Sequence, residues 1–195
     1  MKGRESGMPD ESYWDSFFDA DCIVTELDCA KTKTESVVEF GSGYGTFTLP
    51  LARKISGTIY ALDIEDDLIS QLKRKAFDNG LSNINAQSRD FISEGTGLPD
   101  KAVDHAMVYN ILHIENPISL LKEAFRVLKS NGSISIIHWK HDPATPRGPS
   151  LNIRPRPEQC RAWAEEAGFE FLRDQDLSVC CKYHYGMLLT RPHSE

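Results

Sequence analysis

The run Val37-Val38-Glu39-Phe40-Gly41-Ser42-Gly43-Tyr44-Gly45-Thr46-Phe47 narrows the possible folds more than any other stretch of the chain. Its first four residues are β-prone and mostly apolar, which suits a short buried strand. Glycine at alternate positions removes Cβ atoms and permits positive φ, so the backbone can turn tightly and press against a ligand. A helix-like segment follows. The third glycine falls four residues after the first, which departs from the G-x-G-x-x-G spacing of dinucleotide-binding turns. Glu39, just before the turn, would repel a pyrophosphate and suit a cationic group.

Strand and helix signals alternate from there. Strands are expected at Val37–Phe40, Thr58–Asp63, Asn83–Asp90, Asp104–Asn110 and Ser133–Trp139. Helices are expected at Thr46–Ile55, after a capping Asp66, and after Asn116, where an N-cap residue precedes a proline. Such alternation means βαβ units and a parallel sheet. Phe169–Val179 and Lys182–Thr190 read as two closing strands, a hairpin around Cys180-Cys181. The expectation is an α/β fold: a doubly wound, Rossmann-like, seven-stranded sheet with one antiparallel strand and helices on both faces. Residues 1–195 form a single domain in this reading. Residues 1–30 supply a tail and a helix carrying Tyr13, Trp14, Phe17 and Phe18, which either packs on the domain or serves as a lid. The proline-rich stretch 141–157 is a long loop near the active-site face.

In open α/β sheets, ligands bind beyond the carboxyl ends of the strands. Polar residues recur at those ends: Glu39, Asp63, Asp90, Asn110 and His138. In order, over roughly residues 35–140, these motifs resemble the class I S-adenosylmethionine-dependent methyltransferases. That resemblance implies S-adenosyl-L-methionine as cofactor and S-adenosyl-L-homocysteine as product. Gly41, Ser42, Gly43 and Gly45 would then pass under the cofactor. Glu39 would meet its ammonium, and Asp63 its two ribose hydroxyls. Ile64 would lie on the adenine face. Asp90 would accept from the adenine amino group, with the Phe91 backbone nearby, and the Asn110 carbonyl would lie near the ammonium. DHAMVYNILHIENP and LLKEAFRVLKSNGSISIIHWK resemble the small-molecule branch that includes ubiquinone- and menaquinone-type C-methyltransferases. The stretch from His138 to Phe169 departs from the quinone enzymes. It resembles small bacterial and archaeal methyltransferase-like proteins.

For the acceptor side, His113 and His138 are the candidate proton acceptors, since neutral imidazole takes a proton near pH 7. Trp139, His141 and Arg154 are the candidate substrate-pocket residues, Arg154 through bidentate bonds to an anion. No metal site is expected. Two other readings stay open: an NAD(P)-dependent Rossmann oxidoreductase, and an inactive S-adenosylmethionine-binding protein.

Composition bounds the partners. Acidic side chains outnumber basic ones, 29 to 22, for a net charge of −7, which argues against a phosphate-backbone ligand. Asn110-Ile111-Leu112-His113 stands where exocyclic-amine DNA methyltransferases carry Asn/Asp-Pro-Pro-aromatic. A small-molecule substrate is expected, with no nucleic acid, no membrane span and a cytoplasmic location. The oligomeric state is left open. The five cysteines show no zinc-type pairing and are expected as free, partly buried thiols.

Overall fold

The computed structural model describes residues 8–29, 35–142 and 144–193. The expected tail falls largely on residues 1–7, outside the described residues. Seven strands form one sheet: β1 (Val37–Phe40), β2 (Ile59–Asp63), β3 (Ile84–Ser88), β4 (Val103–Tyr109), β5 (Leu128–Trp139), β6 (Glu170–Gln175) and β7 (His184–Thr190). Their order is β3-β2-β1-β4-β5-β7-β6. The first five are parallel, and β7 runs antiparallel between β5 and β6. The strand order therefore reverses between β1 and β4, and the crevice above that switch is where a ligand belongs. The expected fold class is the observed one.

Helices cover both faces: α1 (Glu11–Asp15), α2 (Ala20–Glu26), α3 (Thr48–Lys54), α4 (Asp66–Asp78), α5 (Pro117–Val127) and α6 (Pro157–Glu166). Asn116 caps α5, its side chain accepting from the Ser119 N–H at 3.2 Å, with Pro117 opening the first turn. Asp66 begins α4 rather than capping it; the cap position is Glu65, which makes no side-chain cap bond. The N-terminal aromatic run forms two short helices instead of one. Asp19 starts a new helix by accepting from the Cys22 N–H at 3.0 Å, which turns the chain between α1 and α2.

The central strands β1 and β4 are almost wholly buried, as strands covered on both faces should be. Val38, Phe40, Ala106 and Val108 face α5 and α6. Val37, Met107 and Tyr109 face α2 and α3. Burying some dozens of such side chains at about 1.5–3 kcal/mol each is what holds the sheet between its helices. The thiol expectation needs correction. Cys22 of α2 is bonded to Cys180 of the β6–β7 turn, while Cys29, Cys160 and Cys181 are free and buried. No described helix is long and apolar enough to cross a membrane.

Candidate functional site

A cavity of about 510 Å³ opens above the switch between β1 and β4. That is the size of a small-molecule site. Eight expected cofactor residues line it: Gly41, Ser42, Gly43, Asp63, Ile64, Asp90, Phe91 and Asn110. The sheet assembles them, because each follows or ends a parallel strand at the same edge.

The turn after β1 is tied to β2. The Gly41 and Ser42 N–H groups both donate to the Leu62 carbonyl, at 2.8 and 2.9 Å. The Gly43 N–H donates to Asp63 Oδ2 at 2.7 Å, and the Glu65 N–H donates to Oδ1 at 3.0 Å. Asp63 thus holds the turn as well as facing the cavity. Burial pushes its carboxyl up, and these N–H groups pull it back. Gly43 has φ +52°, and a Cβ there would reach within 3.1 Å of the Met8 Cε that lies over it. Gly45 does not line the cavity. A Cβ there would strike Leu72 of α4 at 2.5 Å, so this glycine lets the turn pack against α4.

Glu39 lies beneath the turn and is 2 % exposed. Thr48 of α3 donates to it. No ion pair reaches it among the described residues. Burial is the main cause that raises its carboxyl from 4.5 to about 8; the Thr48 bond lowers it and the Asp63 charge adds to the rise. Asp90 Oδ1 accepts from the N–H groups of Ile92 and Ser93, both at 3.2 Å, which shapes the turn after β3. Phe91 packs edge-on against Phe40 at 5.4 Å. Asn110 follows β4 in the left-handed region, φ +56°, and both polar atoms of its buried amide lack a hydrogen-bond partner. The Ser42 Oγ is likewise buried and unpartnered. Orphaned polar atoms are rare in folded proteins. Here they border a cavity with a glycine floor and a buried carboxyl below, a setting that suits a polar, cationic ligand such as S-adenosylmethionine.

His113 lines the same cavity. Its Nδ1 lies 3.3 Å from His138 Nε2. His138 is 0 % exposed, and burial first, then the charge of His113, holds it well below the usual imidazole range. The expected substrate-pocket residues divide. His141 and Arg154 line a second cleft. Trp139 lines neither cavity, because it alternates with His138 along β5 and so faces the opposite side of the sheet. Its ring lies against Phe17 at 5.2 Å and His184 at 4.1 Å. Arg154 is engaged by its own loop: Nε and Nη2 donate to the Pro149 carbonyl at 2.9 and 2.7 Å, Nη1 to the Lys140 carbonyl at 2.9 Å, and Nη2 also to Arg147. It clamps the 141–156 loop rather than presenting a bidentate fork to an anion.

Other lining residues were not anticipated: Met8, Thr46, Arg89, Tyr109, Ile111 and Asn116. Met8 and Trp14 close the cavity from the N-terminal side. That segment is held by Tyr44 Oη to the Pro9 carbonyl at 2.9 Å, Thr46 Oγ1 to Asp15 at 2.8 Å, and an ion pair of Lys75 with Glu11. The aromatic run at 13–18 was the signal for a lid, but its contacts depend on packing that no local pattern encodes.

A family model described as a methyltransferase domain matches residues 37–132. An aklanonic acid methyltransferase from Streptomyces sp. (strain C5) is 27% identical over 104 residues, 52% of this chain and 46% of that protein. The chain spans less than half the length of the curated relatives it matches. A crystal structure of a SAM-dependent methyltransferase from Aquifex aeolicus superimposes with a TM-score of 0.78 at 23% identity, covering 93% of this chain and 94% of that one. The [4+2]-cyclase SpnF gives the same TM-score of 0.78 at 18% identity, covering 97% of this chain and 85% of that one. The fold alone therefore does not fix the reaction. Residues 37–132 thus match a methyltransferase domain, and the chain carries it on the fold of S-adenosylmethionine-dependent methyltransferases.

Proposed function

We propose that this chain transfers the methyl group of S-adenosylmethionine to a small-molecule acceptor at the His113 side of the 510 Å³ cavity. The convergence of Asp63, Asp90, Asn110 and the glycine turn on that cavity carries the reading. The cofactor supplies a methyl group already activated on a sulfonium. The protein's work is then to align the acceptor and exclude water. Glu39 and Asp63 supply negative charge beneath a cationic ligand. Asp63 faces the ribose hydroxyls and Asp90 the adenine amine. Met8 and Trp14 keep water out.

His113 takes the proton of an acceptor hydroxyl. His138 is a positioning residue: it is buried, stays neutral, and fixes the His113 ring through the contact between their nitrogens. The finer assignment to the branch with quinone-type C-methyltransferases rests on residues 104–117 and 120–140. An oxidoreductase reading meets a turn whose glycine spacing departs from G-x-G-x-x-G. Calorimetric titration with S-adenosylhomocysteine tests the site. We expect Asp63→Asn to weaken binding by about tenfold or more, since it removes a charge and an acceptor from the ribose side. Parent-like binding by that variant would overturn the placement.

A further inference from the structure

We propose that the methyl acceptor is an uncharged, mainly apolar molecule bearing a hydroxyl or carbonyl oxygen, with its body seated in a second cleft beside the donor cavity. This rests on the reading of the first cavity as the donor site. The second cleft has a volume of about 670 Å³ and lies between the β4–α5 loop, the 141–156 loop and α6. Ile114 and Glu115 border both cavities and form the ridge between them. His113 immediately precedes that ridge. An acceptor lying across it would bring one end to His113 and the donor.

The walls set the chemistry of the rest of the molecule. Ile114, Ile153, Pro155 and Trp163 are apolar, and Leu151 stands at the rim with 37 % exposure. Their burial against a ligand favours apolar or aromatic surface at roughly 25 cal/mol per Å². The charges disfavour an anion. The cations bordering the two cavities are Arg89 and Arg154. Arg89 pairs with Glu94 at 3.6 Å and donates to the Gly95 carbonyl at 3.4 Å. Arg154 is engaged by the carbonyls of its own loop. Against them stand the carboxylates of Asp63, Asp90 and Glu115. An entering carboxylate or phosphate would lose its water and meet more negative charge than donors.

A few polar groups remain for an oxygen. Gln159 uses its Oε1 to accept from the Arg156 N–H at 2.9 Å, which leaves its amide N–H₂ as the hydrogen-bonding end. His141 Nδ1 is buried without a partner. One donor and one imidazole nitrogen match a hydroxyl or carbonyl, and neither is a charged anchor.

Three probes of one shape separate the possibilities: 2-naphthol, 2-naphthoate and 2-naphthylmethylammonium, titrated by calorimetry with the full chain saturated in S-adenosylhomocysteine. We expect 2-naphthol to bind about tenfold tighter than 2-naphthoate, a difference of about 1.4 kcal/mol. Ile153→Asp should weaken 2-naphthol about tenfold, because it sets a charge into an apolar wall. Its S-adenosylhomocysteine affinity, which also reports folding, should stay within about twofold, since a factor of that size is well under 1 kcal/mol. Glu115→Lys should move 2-naphthoate toward 2-naphthol by several-fold. Tighter binding of either charged probe, or undiminished 2-naphthol binding by Ile153→Asp, overturns the proposal. So does no response to any probe while S-adenosylhomocysteine binds. Failure of S-adenosylhomocysteine itself to bind would instead overturn the donor-site reading.

Discussion

Glu39, once ionised, carries a burial cost that a cationic ligand would offset. Its carboxyl ionises near 4.5 in an ordinary setting but near 8 when buried here. Between those values the folded ligand-free chain holds a proton that the unfolded chain has lost. The stability contribution is therefore complete below about pH 4.5 and lost as pH rises through about 8. Glutamine at this site has no charge to bury and still accepts from Thr48. Glu39→Gln should be more stable than the parent at pH 8.5 without ligand, by on the order of 1–3 kcal/mol, and should lose the parent's pH slope, as urea denaturation would record. S-adenosylmethionine should behave oppositely. Its affinity for the parent should rise with pH as Glu39 ionises, while the variant binds about tenfold more weakly with no slope. A slope that survives in Glu39→Gln would assign the titration to another group. The sequence exposed Glu39 because the residue types alone set a carboxylate against a side-chain-free turn. It did not expose the orphaned Asn110 amide, since hydrogen-bond satisfaction is a property of the packed chain.

The elements differ in how far local pattern reaches. The strands β1, β2 and β4 and the helices α4 and α5 follow from apolar periodicity and caps, which are local signals. His113, His138 and Trp139 are all acceptor-side candidates by residue type. Alternation along the strand sends His138 toward His113 and Trp139 toward Phe17, so only one of the pair can serve the cavity. The Arg154 clamp was hidden because backbone carbonyls have no sequence signature. The Cys22–Cys180 bridge was hidden because its partners are 158 residues apart. That bridge joins α2, the helix after α1, to the β6–β7 turn, where the Asp19 N–H also donates to the Cys180 carbonyl at 2.8 Å. A closed loop of that length removes much freedom from the unfolded chain. Cys22→Ser should lower the unfolding free energy by about 2–4 kcal/mol in oxidising buffer. A dithiol reductant should bring the parent to the variant's urea midpoint. Equal midpoints for the oxidised parent and the variant would show that the bridge contributes nothing.

At the scale of the molecule, the site exists because the strand order turns back between β1 and β4. Neither strand supplies a complete ligand shell. β1 gives the turn and the buried carboxyl, β2 and β3 give acids at their ends, and β4 gives Asn110 and the path to His113. A ligand that bridges these strands ties together segments spread from residue 39 to residue 113, so its binding should register in global stability. By mass action, a ligand at about 100 times its Kd adds about 2.7 kcal/mol. For a chain of this size that corresponds to about 5–10 °C in Tm. S-adenosylhomocysteine at such a concentration should give that shift by scanning calorimetry, whereas NAD at equal concentration should give none, because the turn after β1 lacks the glycine spacing that seats a pyrophosphate. The same shift should shrink by half or more in Asp63→Asn, which removes the carboxylate charge from the ribose side. A rise in Tm with NAD and none with S-adenosylhomocysteine would mean that the switch-point cavity is built for a pyrophosphate, and the cationic-donor reading would be lost together with the roles given to both carboxylates.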